Sequence, residues 1–218
     1  MGSVERLPKD GYVCLIDADS LIYYEMDKTT YEEAVYGLDK RMEDMLSRCN
    51  TSRFAGFLTD GRCFRYKVTD TYKNSRKGKP KPPIFYALKE HLRQNYGMIG
   101  ISTLEADDLV SYYSYTSDFK TIVCSPDKDV LYQCVGMHYN CRKTSSNWLR
   151  NRTKDFEGFA LKKYVEKFGM VDGLFKFHET FRLVYLLRTE EDILRETSKP
   201  LPPLQISSLT PQQEESWM

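Results

Sequence analysis

Carboxylate side chains gather in two short segments near the middle of this chain of 218 residues. Glu105-Ala106-Asp107-Asp108 begins a predicted helix, and Asp127-Lys128-Asp129 follows a predicted apolar strand at 121–124. Acids beside apolar elements are costly to bury unless a positive charge neutralises them, so such a cluster indicates a bound cation. Neither segment contains His or Cys, and an oxygen-only ligand set favours Mg²⁺ or Mn²⁺ over zinc. The alternative is a helix start whose acids offset the helix dipole, together with an unrelated pair of loop acids.

Two apolar runs nearer the N-terminus also end in acids. Tyr12–Ile16 leads to Asp17, and Phe54–Leu58 leads to Thr59-Asp60. Continuous apolar runs bounded by polar turn residues are typical of buried parallel strands, and the carboxyl ends of such strands meet at the edge of the sheet where ligands bind. We therefore predict one acidic site that suits two divalent ions acting on a phosphodiester. Its predicted members are Asp17, Asp60, Glu105, Asp107, Asp108, Asp127 and Asp129.

A basic stretch that also contains aromatic residues, 64–83, lies between the second strand and the later acids. Lys and Arg attract a phosphate backbone, and Tyr can stack on an unpaired base, so this stretch is predicted to hold nucleic acid beside the acidic site. The alternative is a solvated, mobile basic loop. The net charge of only +1 excludes a general nucleic-acid coat and indicates that charge is segregated. The predicted substrate contacts are Arg65, Tyr72 and Lys77.

In their order along the chain, these motifs resemble those of the flap endonuclease/5′→3′ exonuclease family, and of its bacteriophage members in particular. The resemblance rests on the acids after each strand and on Tyr72-Lys73-x-x-Arg76, and it covers roughly residues 10–143. It implies an α/β fold with a PIN-like core, in which a central, mainly parallel sheet is flanked by helices and carries a basic helical arch at about 64–83. It also implies two-metal hydrolysis of DNA 5′ ends and flaps, and of RNA in RNA–DNA hybrids.

The resemblance further implies roles for individual residues. Lys73 and Arg76 would polarise the scissile phosphate, and Tyr72 would stack on a terminal base. Asp19 has no clear family role, and we expect it to cap the helix that follows or to orient Asp17. Four carboxylates would hold the first ion, namely Asp17, Asp60, Glu105 and Asp107. Three would complete that site and serve a second ion, namely Asp127, Asp129 and Asp108.

The chain departs from the family pattern after the last acidic motif. It lacks a Gly-Asp-x-x-Asp motif and a helix-hairpin-helix unit, and it passes directly to a helical run at 159–169. We therefore expect an internal deletion near 144–158, within a nuclease domain that spans 1–195. The deletion leaves two alternatives to a DNA nuclease, which are a catalytically silent nucleic-acid-binding relative and a PIN-type ribonuclease that acts on single-stranded RNA.

Composition suggests the setting of the protein. The six cysteines lack Cys-x-x-Cys spacing, which favours free thiols in a reducing compartment. No signal peptide or membrane-length apolar run is present, so we expect a soluble, cytoplasmic monomer. Residues 196–218 are rich in Pro, Ser and Gln and are predicted to form a flexible tail. Trp217 in this tail could dock a replication protein, the alternative being a frayed end without a partner.

Overall fold

A central sheet with mainly parallel pairing organises the protein, as seen in a computed structural model that describes residues 9–69, 71–74, 78–142, 148–150 and 156–209. The strand order is β3-β2-β1-β4-β5-β6, and all neighbours from β3 to β5 are parallel. Strand β6 runs antiparallel to β5, and β7 runs antiparallel to β2. The strands are β1 (Val13–Asp17), β2 (Arg53–Leu58), β3 (Ile99–Gly100), β4 (Thr121–Cys124), β5 (Met137–Tyr139), β6 (Trp148–Arg150) and β7 (Ser207–Ser208).

Helices pack on both faces of the sheet, so every residue of the central strand β1 is buried. This confirms the prediction of a continuous apolar strand that ends at Asp17, and it confirms the α/β class. The helices are α1 (Ala18–Glu25), α2 (Tyr31–Arg48), α3 (Arg65–Val68), α4 (Pro83–Tyr96), α5 (Ala106–Thr116), α6 (Lys128–Gln133), α7 (Phe156–Phe168), α8 (Met170–Val184) and α9 (Glu190–Thr197).

Two apolar clusters lie on opposite faces of the sheet. One contains Leu38 of α2 and Leu88 of α4, and the other contains Leu109 of α5 and Leu187 after α8. Helix α2 begins after Thr30, whose hydroxyl accepts a hydrogen bond from the N–H of Glu33 at 3.2 Å and so caps the helix. The sheet is therefore held between layers on both sides, and its carboxyl edge is left open for a site.

The segment after Thr197 differs in part from the predicted flexible tail. It is extended, but residues 201–209 pack on the domain, because Leu201, Leu204 and Ile206 contact the second apolar cluster. The hydroxyl of Tyr113 also donates to the carbonyl of Pro202 at 2.6 Å, and β7 pairs with β2. The prediction of a flexible tail used only the high content of Pro and Ser. It did not consider the spacing of the apolar residues between them, which allows this segment to pack on the domain. Residues 210–218, including Trp217, lie outside the described residues.

Two other predicted features lie partly outside the described residues. In the predicted arch the structure describes α3 and a turn at 71–74, whereas residues 70 and 75–77 are not described. In the region of the predicted deletion it describes β6 and the start of α7. None of the helices in the described part of the chain combines the length and the apolar character that a membrane span requires.

Candidate active site

Acidic side chains from separate elements converge on a cavity of about 300 Å³ at the carboxyl edge of the sheet. Strand β1 brings Asp17, the start of α5 brings Asp107, and the loop after β4 brings Asp127. The convergence follows from the parallel pairing of β1 with β2 and β4, which places their carboxyl ends side by side. We call this set the acidic basin; its members are Asp17, Asp19, Glu105, Asp107 and Asp127.

Asp17 lies at the centre of the basin and is only 9% exposed. One carboxylate oxygen, Oδ2, accepts a hydrogen bond from the hydroxyl of Ser125 at 3.0 Å. Burial raises the pKa of Asp17 to about 7, and the neighbouring charges of Asp19 and Asp127 contribute to the rise. The fold therefore holds this carboxyl where its charge is unfavourable unless a cation is present.

Asp19 is a basin residue that the sequence did not assign. It lies in the first turn of α1, and the N-cap position is Asp17, so the predicted capping role of Asp19 is wrong. Its Oδ2 accepts from the N–H of Thr59 at 3.3 Å, which turns the carboxylate towards the basin. The signal that could have found it is the spacing Asp17-x-Asp19, because two acids at a strand end can both face a ligand there.

Two buried oxygens in the basin have no hydrogen-bond partner among the described residues: Oδ1 of Asp19 and Oδ1 of Asp107. Burial raises the pKa of both carboxyls, and the charge of Asp108 adds to the effect at Asp107. Buried polar atoms normally have partners, so an unpaired pair facing one cavity fits a ligand that accepts lone pairs. Hard carboxylate oxygens fit Mg²⁺ or Mn²⁺.

Glu105 is held by residues of the predicted arch. Its Oε2 accepts from the hydroxyl of Tyr72 at 2.6 Å, and Oε1 pairs with the ammonium of Lys73. Burial by itself would raise the pKa of Glu105, but Lys73 and Arg65 outweigh it and leave the pKa below its ordinary value. Lys73 has a positive φ of 52°, an uncommon conformation for a residue other than Gly, and its side chain lines the cavity. Stacking of Tyr72 on a base stays a prediction.

Arg65 and Asp108 do not have the positions predicted for them. Arg65 is 1% exposed and therefore cannot contact substrate in this structure. Both of its terminal nitrogens donate to Asp108, at 2.6 and 2.7 Å. Burial would lower the pKa of Arg65, but the charge of Asp108 more than compensates and raises it above its usual range. Asp108 is thus neutralised by an internal cation and does not line the basin.

Asp60 also lies away from the basin, although it follows β2 as predicted. Lys89 donates to its Oδ1 at 2.9 Å, and Arg93 pairs with the same oxygen. Burial opposes these two cations, yet together they leave the pKa of Asp60 below its ordinary value. Asp129 does not line the cavity either. Two further predicted residues, Arg76 and Lys77, lie outside the described residues.

Three cysteines meet inside the core, which spacing in the sequence did not indicate. Cys14, Cys49 and Cys124 are buried, and their sulfur atoms lie within 4.8 Å of one another. They are free thiols that belong to the first apolar cluster, where a thiol packs as a small apolar group.

The mainly parallel sheet with acids at its carboxyl edge defines a PIN-like α/β domain of the resolvase type. Residues 12–169, more than half of the chain, match the family described as 5′-3′ exonuclease, N-terminal resolvase-like domain, and the chain belongs to that family. The protein is therefore a member of a nuclease family.

Two solved structures are similar to this chain. The flap endonuclease of bacteriophage T5, in a pseudo-enzyme–product complex with DNA and metal ions, is 14% identical and has a TM-score of 0.53, covering 89% of this chain and 81% of that one. The catalytic core of Rad2 in complex with DNA substrate is 13% identical in one structure, with a TM-score of 0.49 and coverage of 89% and 76%. At 14% identity the likeness to the T5 enzyme concerns the fold alone. No curated protein sequence matches the chain.

Proposed function

We propose that the protein is a nuclease that depends on divalent metal ions and hydrolyses phosphodiester bonds of DNA at 5′ ends and flaps, with RNA in RNA–DNA hybrids as a further substrate. The observation that carries this proposal is a pair of buried oxygens, one on Asp19 and one on Asp107, that have no hydrogen-bond partner in the described part of the chain and lie at a cavity beside Lys73. Membership in the exonuclease family supports the reaction class. The DNA in the complex of T5 flap endonuclease supports the substrate class.

The acidic basin would hold Mg²⁺ or Mn²⁺, and two ions are proposed. Asp17, Asp19, Asp107 and Asp127 are candidate ligands, because each lines the cavity and none is paired with an Arg or Lys in the described contacts. Glu105 is the fifth candidate, because it also lines the cavity and its carboxylate is oriented by Arg65, Tyr72 and Lys73. A bound ion of this kind acidifies a water molecule and offsets charge on the scissile phosphate. For that reason the protein needs no Ser or Cys nucleophile.

Side chains on the rim of the cavity would hold the DNA. Lys73 on one part of the rim and the exposed Arg142 on another supply positive charge next to the acids, which would otherwise repel a phosphate backbone. Tyr23 and Tyr24 also line the cavity, and Tyr23 is 37% exposed, so an unpaired base has an aromatic surface available. The Lys73 ammonium is the group best placed to orient the phosphate and to stabilise the developing negative charge.

The test compares a 5′-labelled flap duplex, its blunt counterpart and a single-stranded RNA, each with Mg²⁺, Mn²⁺ or EDTA. We expect metal-dependent cutting of DNA at the flap junction or the 5′ end. Binding of DNA without cutting in either metal would overturn the enzymatic proposal and identify a nucleic-acid-binding relative. Preferential cutting of the RNA would replace the proposed substrate.

A substitution tests the role of Lys73 in the same assay. We expect Lys73→Ala to slow cleavage by about 100-fold, since it removes one preorganised cation from the phosphate site. Lys67→Ala is the matched control, because Lys67 is exposed on α3 and does not line the cavity. Equal rates for both variants would remove Lys73 from the mechanism.

A further inference from the structure

The guanidinium of Arg65 uses all of its hydrogen-bonding capacity inside the protein. Its five N–H groups have five recorded acceptors, and three of these are carboxylate oxygens: Asp108 Oδ1 at 2.7 Å, Asp108 Oδ2 at 2.6 Å and Glu105 Oε2 at 3.1 Å. The other two are backbone carbonyls at the end of α8, Leu183 at 3.1 Å and Tyr185 at 2.8 Å. One side chain thus joins α3, the start of α5 and the end of α8.

The contacts of Arg65 divide into two kinds. The bidentate contact with Asp108 neutralises a fully buried acid, and Asp108 also accepts from the N–H of Glu105 at 3.1 Å. The single contact with Glu105 reaches a member of the acidic basin. The contact with Asp108 reaches the site only through the backbone of Glu105, whereas the second contact acts directly on the Glu105 carboxylate.

The side chains that donate to Glu105 come from one short segment of chain, while the capping box of α5 adds the backbone N–H of Asp108. Arg65 and Tyr72 donate to Oε2, and Lys73 pairs with Oε1. Both carboxylate oxygens are therefore oriented from the segment 65–73. Of these three donors, Arg65 is the most deeply buried, at 1% exposure of its side chain, compared with 29% for Lys73. A planar guanidinium that is held at five points has little freedom to move.

We propose that Arg65 is a positioning residue, which fixes the Glu105 carboxylate in the acidic basin and anchors it to the end of α8. This inference rests on the proposed metal-dependent function of the basin. Arg65 does not touch substrate. Its effect passes through Glu105, and it ties the geometry of the site to a helix whose described end lies beyond the matched residues 12–169.

Charge and geometry can be separated by two variants. Arg65→Gln combined with Asp108→Asn removes both charges of the buried pair and leaves no unpaired ion, so the fold is expected to tolerate it better than either single change. Arg65→Lys keeps the positive charge beside Asp108, but a single ammonium cannot reproduce the planar, five-fold pattern of contacts. A matched control is Arg195→Gln combined with Glu196→Gln, because this pair is an Arg–carboxylate contact outside the basin.

The experiment measures Mn²⁺ affinity by calorimetry, single-turnover cleavage of the flap duplex, and folding by circular dichroism. For folded Arg65 variants we expect Mn²⁺ affinity to fall by about 10-fold to 100-fold, the effect typical of losing a group that orients a metal ligand. We expect the cleavage rate to recover in part at saturating Mn²⁺, and the control pair to behave as the unaltered protein.

Each outcome decides the proposal. Unaltered Mn²⁺ affinity in a folded Arg65 variant would show that Arg65 only neutralises Asp108, and would overturn it. Failure of both Arg65 variants to fold would make Arg65 a folding residue and would also overturn it. If the unaltered protein binds Mn²⁺ but cuts nothing, the nuclease proposal fails while the positioning role is still decided by Mn²⁺ affinity. If the unaltered protein does not bind Mn²⁺, both proposals fail.

Discussion

Asp107 and Asp108 are neighbours in the sequence, yet they belong to two regions with opposite electrostatics. Asp107 faces the acidic basin, where its Oδ1 is buried and has no partner among the described residues. Asp108 turns inward, where Arg65 donates to both of its oxygens. The fold therefore neutralises Asp108, which helps to hold the structure together. It leaves Asp107, which faces the site, without a compensating positive charge in the described contacts. The cavity is thus lined by more acids than cations.

Asp60 shows a third arrangement and makes the comparison sharper. It is partly exposed, and Lys89 and Arg93 both contact it from α4. A surface ion pair of this kind contributes little stability, typically less than about 1 kcal/mol. Asp60 therefore needs neither a metal ion nor a buried Arg, unlike the other two acids.

The largest effect is expected from Asp107→Asn. Removing this charge should lower metal-dependent cleavage by at least about 100-fold, because an amide is a much weaker ligand for a hard cation. The matched control is Asp118→Asn, at an exposed position in the loop after α5. The measurement is the cleavage rate of a flap duplex in Mn²⁺. An equal loss of cleavage rate in both variants would mean that Asp107 has no special role. The proposed difference between Asp107 and Asp108 would then be wrong.

A second effect concerns stability and pH in the absence of metal. The folded pKa of Asp17 is about 7 and its ordinary value is 3.8, so between these values the folded state binds more protons than the unfolded state. Stability should therefore fall as the pH rises from about 4 to about 7, by at most about 4 kcal/mol. Thermal unfolding in EDTA across this range measures it.

Variants and metal ions test the origin of this pH dependence. Asp17→Asn should flatten the profile, whereas Asp118→Asn should leave it unchanged. Mn²⁺ added near pH 7 should raise the melting temperature of the unaltered protein, since a ligand that binds only the folded state stabilises it. A metal-free profile that rises with pH over this interval would contradict the assignment of Asp17 to a region with uncompensated charge.

The smallest effect is expected at Asp60. Asp60→Asn should change the cleavage rate by less than about 3-fold, because its partners are Lys89 and Arg93 and it does not line the cavity. Asp19→Asn, measured in parallel in Mn²⁺, should lower the rate by at least about 10-fold, because its buried Oδ1 faces the basin. The reverse ranking would restore the ligand set predicted from the sequence and would show that Asp60 turns towards the site when metal binds.

The amino-acid sequence was sufficient to predict the central parallel strands and the edge of the sheet where the acids converge. The apolar runs that end at Asp17 and at residue 124 became central parallel strands, because continuous burial needs helices on both faces. Parallel strands bring their carboxyl ends together, so the convergence of Asp17, Asp107 and Asp127 could be predicted from where each run ends.

The pairing of each acid with a cation, by contrast, was visible only in the tertiary structure. Arg65 meets an acid 43 residues further along the chain, and Asp19 meets Thr59 across 40 residues. Local spacing in the sequence does not predict these contacts. They depend on how α3 and α5 pack and on the orientation of each side chain beyond the end of its strand. For the same reason the packing of residues 201–209 could not be read from their composition. A sequence pattern specifies which element carries a charge, whereas the partner of that charge is specified only when distant elements pack together.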